Sequence, residues 1–537
     1  MLRLERRRCH HRKKKCEKIS YRKIFCGHRK KNMADRIVGY EFLRDSLSLS
    51  AFAPEVTARA GGVTRKNTFG DSILAVPVHV APASDDPLEH LLFALKHEQL
   101  NLQIAILALQ KIPAAAVARE FIAKPTSWYA RQACYLWELA NGTTLTGLPA
   151  ARGPYGVLFS PDKFLTAAST RSSRWRVDFN GIGSPRYCIT VRRTPAIDTL
   201  VRRSILDQVK AFVDGIDPAL LDRAVRWAYL SETDNSYAIE RESATNDKRE
   251  AFASLLGRAR EAEQLTEDYL VALQNLTITS PLDKAFEFRS KQNWLRKDLP
   301  GALGVTYVPP PPDLNLEIMD EIMSFANNPG TGVDALVRGA VTSFAFVFAH
   351  PFMDGNGRLS RFLFHKAACQ DPRLANGLVL PVSVAMKRNE GDYLKALESF
   401  SKKTRRFWKV NMIDELVKAE FTGAPEIYRY WDGTECVEFG LRMAQEALDR
   451  DLQNESVFLQ RFDQAYRAVN DAVDMNNDDL VLMIRSVLQN NGVLSNNRRK
   501  QLIGKGHPTA IIDKAMAVLT ECLADADEAR PAPVALG

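Results

Sequence analysis

A mainly α protein, with an α+β region ahead of the helices, is expected from three features of this 537-residue chain. Apolar residues recur at helical spacing over most of residues 200–537. The β-rich runs, such as 187–191, fall before residue 200. Proline and glycine clusters at 142–156 and 309–312 interrupt the helical texture where a helix cannot continue. Single cores stop growing at about 250–300 residues, so the chain divides into 1–32, 33–200, 201–425 and 426–537, the last a helical, winged-helix-like module.

The first piece holds seven Arg, seven Lys and two acids, a net +12 within a total of +9, so the rest of the chain sums to −3. A disordered basic tail, or sequence ahead of a start at Met33, is preferred over an arm that neutralises nucleic-acid phosphates. Cys9, Cys16 and Cys26 lie beside His10, His11 and His28 but lack the paired short loops of a zinc site. Cys134, Cys188, Cys369, Cys436 and Cys522 are scattered singly, as free thiols are in a reducing compartment. A cytoplasmic location follows as an expectation, and with no run of about 18 apolar residues no membrane partner is expected.

Within 33–200, a strand is expected at 73–80. Asp86 should cap a helix with Pro87 at its first position and Glu89 completing a capping box, and helix should continue to about Leu139. Within 201–425, helix is broken between Phe286 and Pro312. Val333, Leu336, Val337, Ala340, Val341, Phe344 and Phe348 then mark a buried helix running into His350, with a second helix starting around Gly357. Residues 480–520 resemble a helix-turn-helix or winged-helix module, with Arg498, Arg499, Lys500 and Lys505 as a set that DNA would attract.

The chemistry is concentrated in His350-Pro351-Phe352-Met353-Asp354-Gly355-Asn356-Gly357-Arg358-Leu359-Ser360-Arg361. Gly355, Asn356 and Gly357 at a helix start offer unpaired N–H groups and the positive end of the helix dipole to phosphates. Asp354 is a hard carboxylate suited to Mg²⁺ bridging phosphate oxygens of ATP, and Asn356 can donate to an α-phosphate oxygen. Arg358 and Arg361 share a helix face and can grip β- and γ-phosphates. His350, with an ordinary pKa near 6.5, can take the proton of an attacking hydroxyl. Singly, each residue is better read as structural; jointly they point to a nucleotide triphosphate site.

This stretch resembles the signature of the Fic family of nucleotidyl transferases. The resemblance implies a Fic-type helical core over 201–425 and a protein adenylyltransferase that moves AMP from ATP to a Ser, Thr or Tyr hydroxyl of a target protein, the chain itself included, releasing pyrophosphate. Two further stretches carry it. Phe288-Arg289-Ser290-Lys291-Gln292-Asn293-Trp294, followed by Tyr307-Val308 and Pro309 to Pro312, looks like the family's β-hairpin flap, on which a target segment docks by strand addition. Ser236-Tyr237-Ala238-Ile239-Glu240-Arg241 resembles the inhibitory helix, in which Glu240 would pair with Arg361; the family usually has Gly or Asn where this chain has Arg241. Alternatives are AMP removal or transfer of another nucleotide by the same fold, and a nucleotide-sensing regulator whose C-terminal module binds DNA.

Overall fold

The chain is organised around the helix Ala335–Ala349, apolar on every side and buried along nearly its whole length. Asp334 starts it, its carboxylate accepting the N–H groups of Leu336 and Val337. The helix Asn356–Ala368 packs along it at close range. A Cβ on Gly339 would lie 2.9 Å from the Phe364 carbonyl oxygen, so that closeness needs glycine. This computed structural model describes residues 36–69, 72–278, 280–297, 301–374, 377–413 and 416–528. The basic piece 1–32, with its thiols and histidines, lies outside the described residues.

The largest core runs from Ile182 to Leu452, past the divisions expected at 200 and 425. The reason is a pairing distant in sequence. Strand Cys188–Arg192 lies parallel to Tyr430–Asp432, with Cys188 opposite Tyr430 and Thr190 opposite Asp432. A second core, from Tyr40 to Tyr430, fills the N-terminal region. There a four-stranded sheet has the order Arg36–Val38, Thr57–Gly61, Ile73–Pro77, Asn67–Phe69, followed by four helices between Pro87 and Asn141. Asp86 caps the first of these as expected, accepting from Leu88 N–H. Glu89 does not complete a capping box: its carboxylate takes the Ser84 N–H and hydroxyl, which the preceding loop presents at 3.1 and 2.9 Å.

Two hairpins depart from the expected pattern. The flap pairs Leu295–Arg296 with Val305–Tyr307, later than residues 288–294, which are held as loop against the motif. A longer hairpin, Trp408–Ile413 with Leu416–Phe421, falls where helix was expected. Its Trp408 packs with Val305 and Val308, so the second hairpin forms the floor under the flap. Past Asp432 the described residues contain helix and no strand, and the C-terminal module is therefore a helical bundle without a wing. Its core is Ala465, Met483, Ile484, Leu502, Ile512 and their neighbours. Among the described residues no single helix is long and apolar enough to cross a membrane.

Candidate active site

His350 ends the helix Ala335–Ala349 in the left-handed conformation, φ 52° and ψ 57°, while its N–H still closes the last turn on Phe346. A non-glycine residue held there costs of order 1 kcal/mol, and such strain gathers at functional sites. Its Nδ1 lies 3.2 Å from the Val347 carbonyl oxygen. A carbonyl only accepts, so Nδ1 carries the proton and Nε2 keeps the lone pair. The ring is buried, and burial lowers its pKa from 6.5 to about 4; the Val347 bond and the Glu240 and Asp354 charges oppose this, and Arg289 adds to it. The ordinary value near 6.5 expected from the sequence does not hold in this closed site.

The loop after His350 is shaped by its own side chains. Asn356 accepts the Phe352 N–H at 3.0 Å through Oδ1 and donates Nδ2 to the Phe352 carbonyl at 2.8 Å. It was expected to donate to a phosphate; here its amide clamps the turn that presents the helix start. Gly355, at φ 86°, supplies the left-handed step into the helix. Asp354 is half-exposed, accepts the Gly355 N–H at 2.6 Å and stands 3.4 Å from Arg358 Nη2. Arg289, which sequence reasoning treated only as part of a flap, fastens the flap base to the motif. Its N–H donates to Pro351 O at 2.7 Å, Nε to His350 O at 2.8 Å and Nη2 to Pro310 O at 2.5 Å. Burial lowers its pKa to about 10, so it remains charged. Asn293, four residues on, adds to the fastening by donating to Phe352 O at 3.0 Å, and no local spacing announces either contact.

Both motif arginines are 1% exposed and turn toward the C-terminal end of one helix, Pro218–Ile239. Arg361 donates Nε to Ser236 Oγ, and Nη2 to both the Ser236 carbonyl and Glu240 Oε1, each at 2.8 Å. Glu240 meets Arg361, the pairing the resemblance implied, and Ser236 joins it on the same arginine. Arg358 donates Nη1 to Glu242 at 3.0 Å and to the Thr277 carbonyl at 3.1 Å, with its guanidinium over the Tyr237 ring at 5.1 Å. Glu242 was not singled out from the sequence. It reaches Arg358 because Arg241 turns the chain at φ 60°, the left-handed step after a helix end that favours Gly or Asn. Gly357 leaves room for the Glu240 carboxylate, since a Cβ there would lie 2.8 Å from Glu240 Cδ. Arg361 Nη1 and Arg358 Nε are buried without hydrogen-bond partners.

The helix carrying Ser236 is tied down along its length. Glu232, fully buried rather than on a charged surface, accepts from Ser383 N–H at 2.7 Å and from the Ser383 hydroxyl, and pairs with His365 Nε2 at 2.8 Å. Its first turns pack Leu220 and Ala224 against Leu459, and Arg223 pairs with Asp463. The basic set expected to face DNA is partly engaged within its own bundle, Arg499 with Asp513 and Lys505 with Asp479.

A helix start opened by a left-handed glycine, with two buried arginines behind it and a histidine beside it, has the donors of a candidate anion site. Residues 264–368 match the model of the Fic/DOC family, so this stretch of the chain is a Fic domain. A probable protein adenylyltransferase of Aquifex aeolicus (strain VF5) is 25% identical over 147 residues, spanning 23% of this chain and 43% of that relative's length. Two solved structures are similar. One is a Fic family protein from Desulfovibrio desulfuricans G20, with TM-score 0.37, 19% identity and coverage of 59% of this chain and 95% of that one. The other is a Fic domain containing signaling protein from Bacteroides thetaiotaomicron VPI-5482, with TM-score 0.33, 17% identity and coverage of 49% and 95%.

Proposed function

We propose that the protein is an autoinhibited protein adenylyltransferase, moving AMP from ATP to a side-chain hydroxyl of a target protein. The observation that carries this reading is the Glu240–Arg361 contact at 2.8 Å, a carboxylate occupying an arginine that stands behind a phosphate-type helix start. The orphaned nitrogens Arg361 Nη1 and Arg358 Nε fit a polyanion, because each is a buried donor without an acceptor.

Among the described residues no group of three or more His, Cys, Asp or Glu side chains could hold a metal by itself. Asp354 fits Mg²⁺ as a single half-exposed carboxylate, the remaining ligands coming from phosphate oxygens and water. When bound, Mg²⁺ would offset phosphate charge. The chain's residues do the rest. N–H groups at the start of the helix Asn356–Ala368 and the guanidinium groups of Arg358 and Arg361 hold the triphosphate and stabilise charge on the departing pyrophosphate. The acceptor oxygen attacks the α-phosphorus, the bond to the bridging oxygen breaks, and the hydroxyl proton passes to His350 Nε2. Arrival of a triphosphate favours the protonated imidazole and so raises the low resting pKa toward a useful range. With Glu240 on Arg361, the γ-phosphate loses its grip and the α-phosphorus is not presented in line.

The test is incubation with MgATP labelled at the α-phosphate. Glu240→Gly is expected to label protein well above wild type, and His350→Ala placed in that variant to remove the gain. Equal labelling by Glu240→Gly and the double variant would sink the assignment.

A further inference from the structure

A cavity of about 570 Å³ opens where the N-terminal region meets the strand pairing of Cys188–Arg192 with Tyr430–Asp432. That volume lies within the range of about 300–1,000 Å³ typical of small-molecule sites. Nothing in the proposed transfer uses it. Its walls bring together residues far apart in the chain: Lys66, Lys163, Arg192 and Lys403 as cations, with Glu55, Glu98 and Asp432 as the acids. Arg192 is paired with Glu55 and with Asp432 at 3.0 Å, yet its Nε is buried without a partner. Lys66 donates to the His97 backbone carbonyl at 2.7 Å.

Charge at neutral pH is therefore unbalanced. Glu98 accepts the Tyr40 N–H at 3.1 Å but burial raises its pKa to about 8, so it is mostly protonated. The lining holds four cations and three carboxyl groups, and burial raises the pKa of Glu55 as well as that of Glu98. The Lys66 pKa is lowered first by burial and then by the neighbouring Lys163, a like-charge pairing that an anion would relieve. Beside these groups the walls are apolar, from Phe52, Pro54, Leu74 and Phe164. A phosphate monoester carries about two negative charges at pH 7 and suits a lining in which cations outnumber acids.

We propose that this cavity binds a small organic phosphate, its phosphate group between Lys66 and Lys163 and its organic body against Phe52, Pro54 and Phe164. It is a second anion site, made by the N-terminal region and separate from the Arg358 and Arg361 site. Trp431 in its wall meets the ring of Phe348, two residues ahead of His350 in the chain, edge-on at 5.2 Å.

Pyridoxal 5′-phosphate reports on such a site. A lysine amine attacks its aldehyde with loss of water to give an imine, and added borohydride delivers hydride to the imine carbon to leave a stable secondary amine. On the full chain, peptide mass mapping is expected to find Lys66 or Lys163 labelled at least tenfold faster than Lys395 and Lys124, which are 77% and 65% exposed. Pyridoxine 5′-phosphate, which lacks the aldehyde, should protect these two lysines about tenfold, and pyridoxine without the phosphate should not. Lys163→Ala should slow labelling of Lys66 by a similar factor. Labelling no faster than at Lys395 overturns the proposal. So does fast labelling that pyridoxine 5′-phosphate fails to suppress, which would mark only a reactive amine.

Discussion

The motif site and the junction cavity are both lined by cations, and they treat those cations in opposite ways. Arg358 and Arg361 are sealed from water, and each is met by a carboxylate of the same chain, Glu242 and Glu240. The junction leaves its lysines at a mouth open to solvent with net positive charge. Solvation explains both arrangements. A buried guanidinium left unpaired costs several kcal/mol, so it is met by carbonyls, as Arg289 is, by acids, or by an incoming anion. A lysine at the surface bears much less of that cost, although partial burial of its amine still lowers the Lys66 pKa. A sealed cation site is therefore a closed one, and an incoming triphosphate must displace groups already there.

The contrast can be broken hardest at the anchor of the helix that supplies Glu240. Glu232→Ala deletes a fully buried carboxylate shared by His365 and Ser383, and should cost about 3–5 kcal/mol. A fall in melting temperature accompanied by a rise in basal transfer is expected; the same fall without the rise would separate that anchor from inhibition. Acid titration comes next. His350 takes up a proton at about 4 when folded and at 6.5 when unfolded, so the unfolded chain binds more protons between those values. Stability from this group is full above pH 6.5 and is lost as pH falls to 4, about 3 kcal/mol in all. The slope of melting temperature against pH in that window should be shallower in His350→Ala.

Gly357→Ala sharpens the comparison further, because its Cβ would press on Glu240. It should destabilise wild type by about 1–3 kcal/mol and do so far less in Glu240→Gly, read as a double-mutant cycle of melting temperatures. Arg241→Gly relieves a left-handed residue and should stabilise by about 1 kcal/mol while lowering basal transfer. At the open site the effect should be smallest: Lys163→Ala is expected to change stability by less than about 0.5 kcal/mol.

The helix into His350, the turn at Gly355 and the pairing of Glu240 with Arg361 were legible because each rests on local spacing or on a motif. Asn356 was legible as important but not as a clamp, since only the folded loop shows Phe352 within reach of its amide. Arg289, Glu242 and Glu232 act through contacts far apart in sequence, or through a left-handed residue that carries no glycine to announce it. The hairpin at Trp408 was missed for another reason: its lysines, Asn411 and Met412 dilute the β signal, and its stability comes from packing under the flap. The divisions at 200 and 425 followed changes of texture, whereas the core follows the pairing of Ile189 with Trp431.

The most direct measurement of the central claim is transfer from α-labelled MgATP by a set of four proteins: wild type, Glu240→Gly, Arg361→Ala and the double variant. If Glu240 acts by holding Arg361, its removal should raise transfer roughly 10- to 100-fold, the worth of a hydrogen bond to a charged group, and that gain should vanish when Arg361 is also replaced. An equal gain with or without Arg361 would contradict the account.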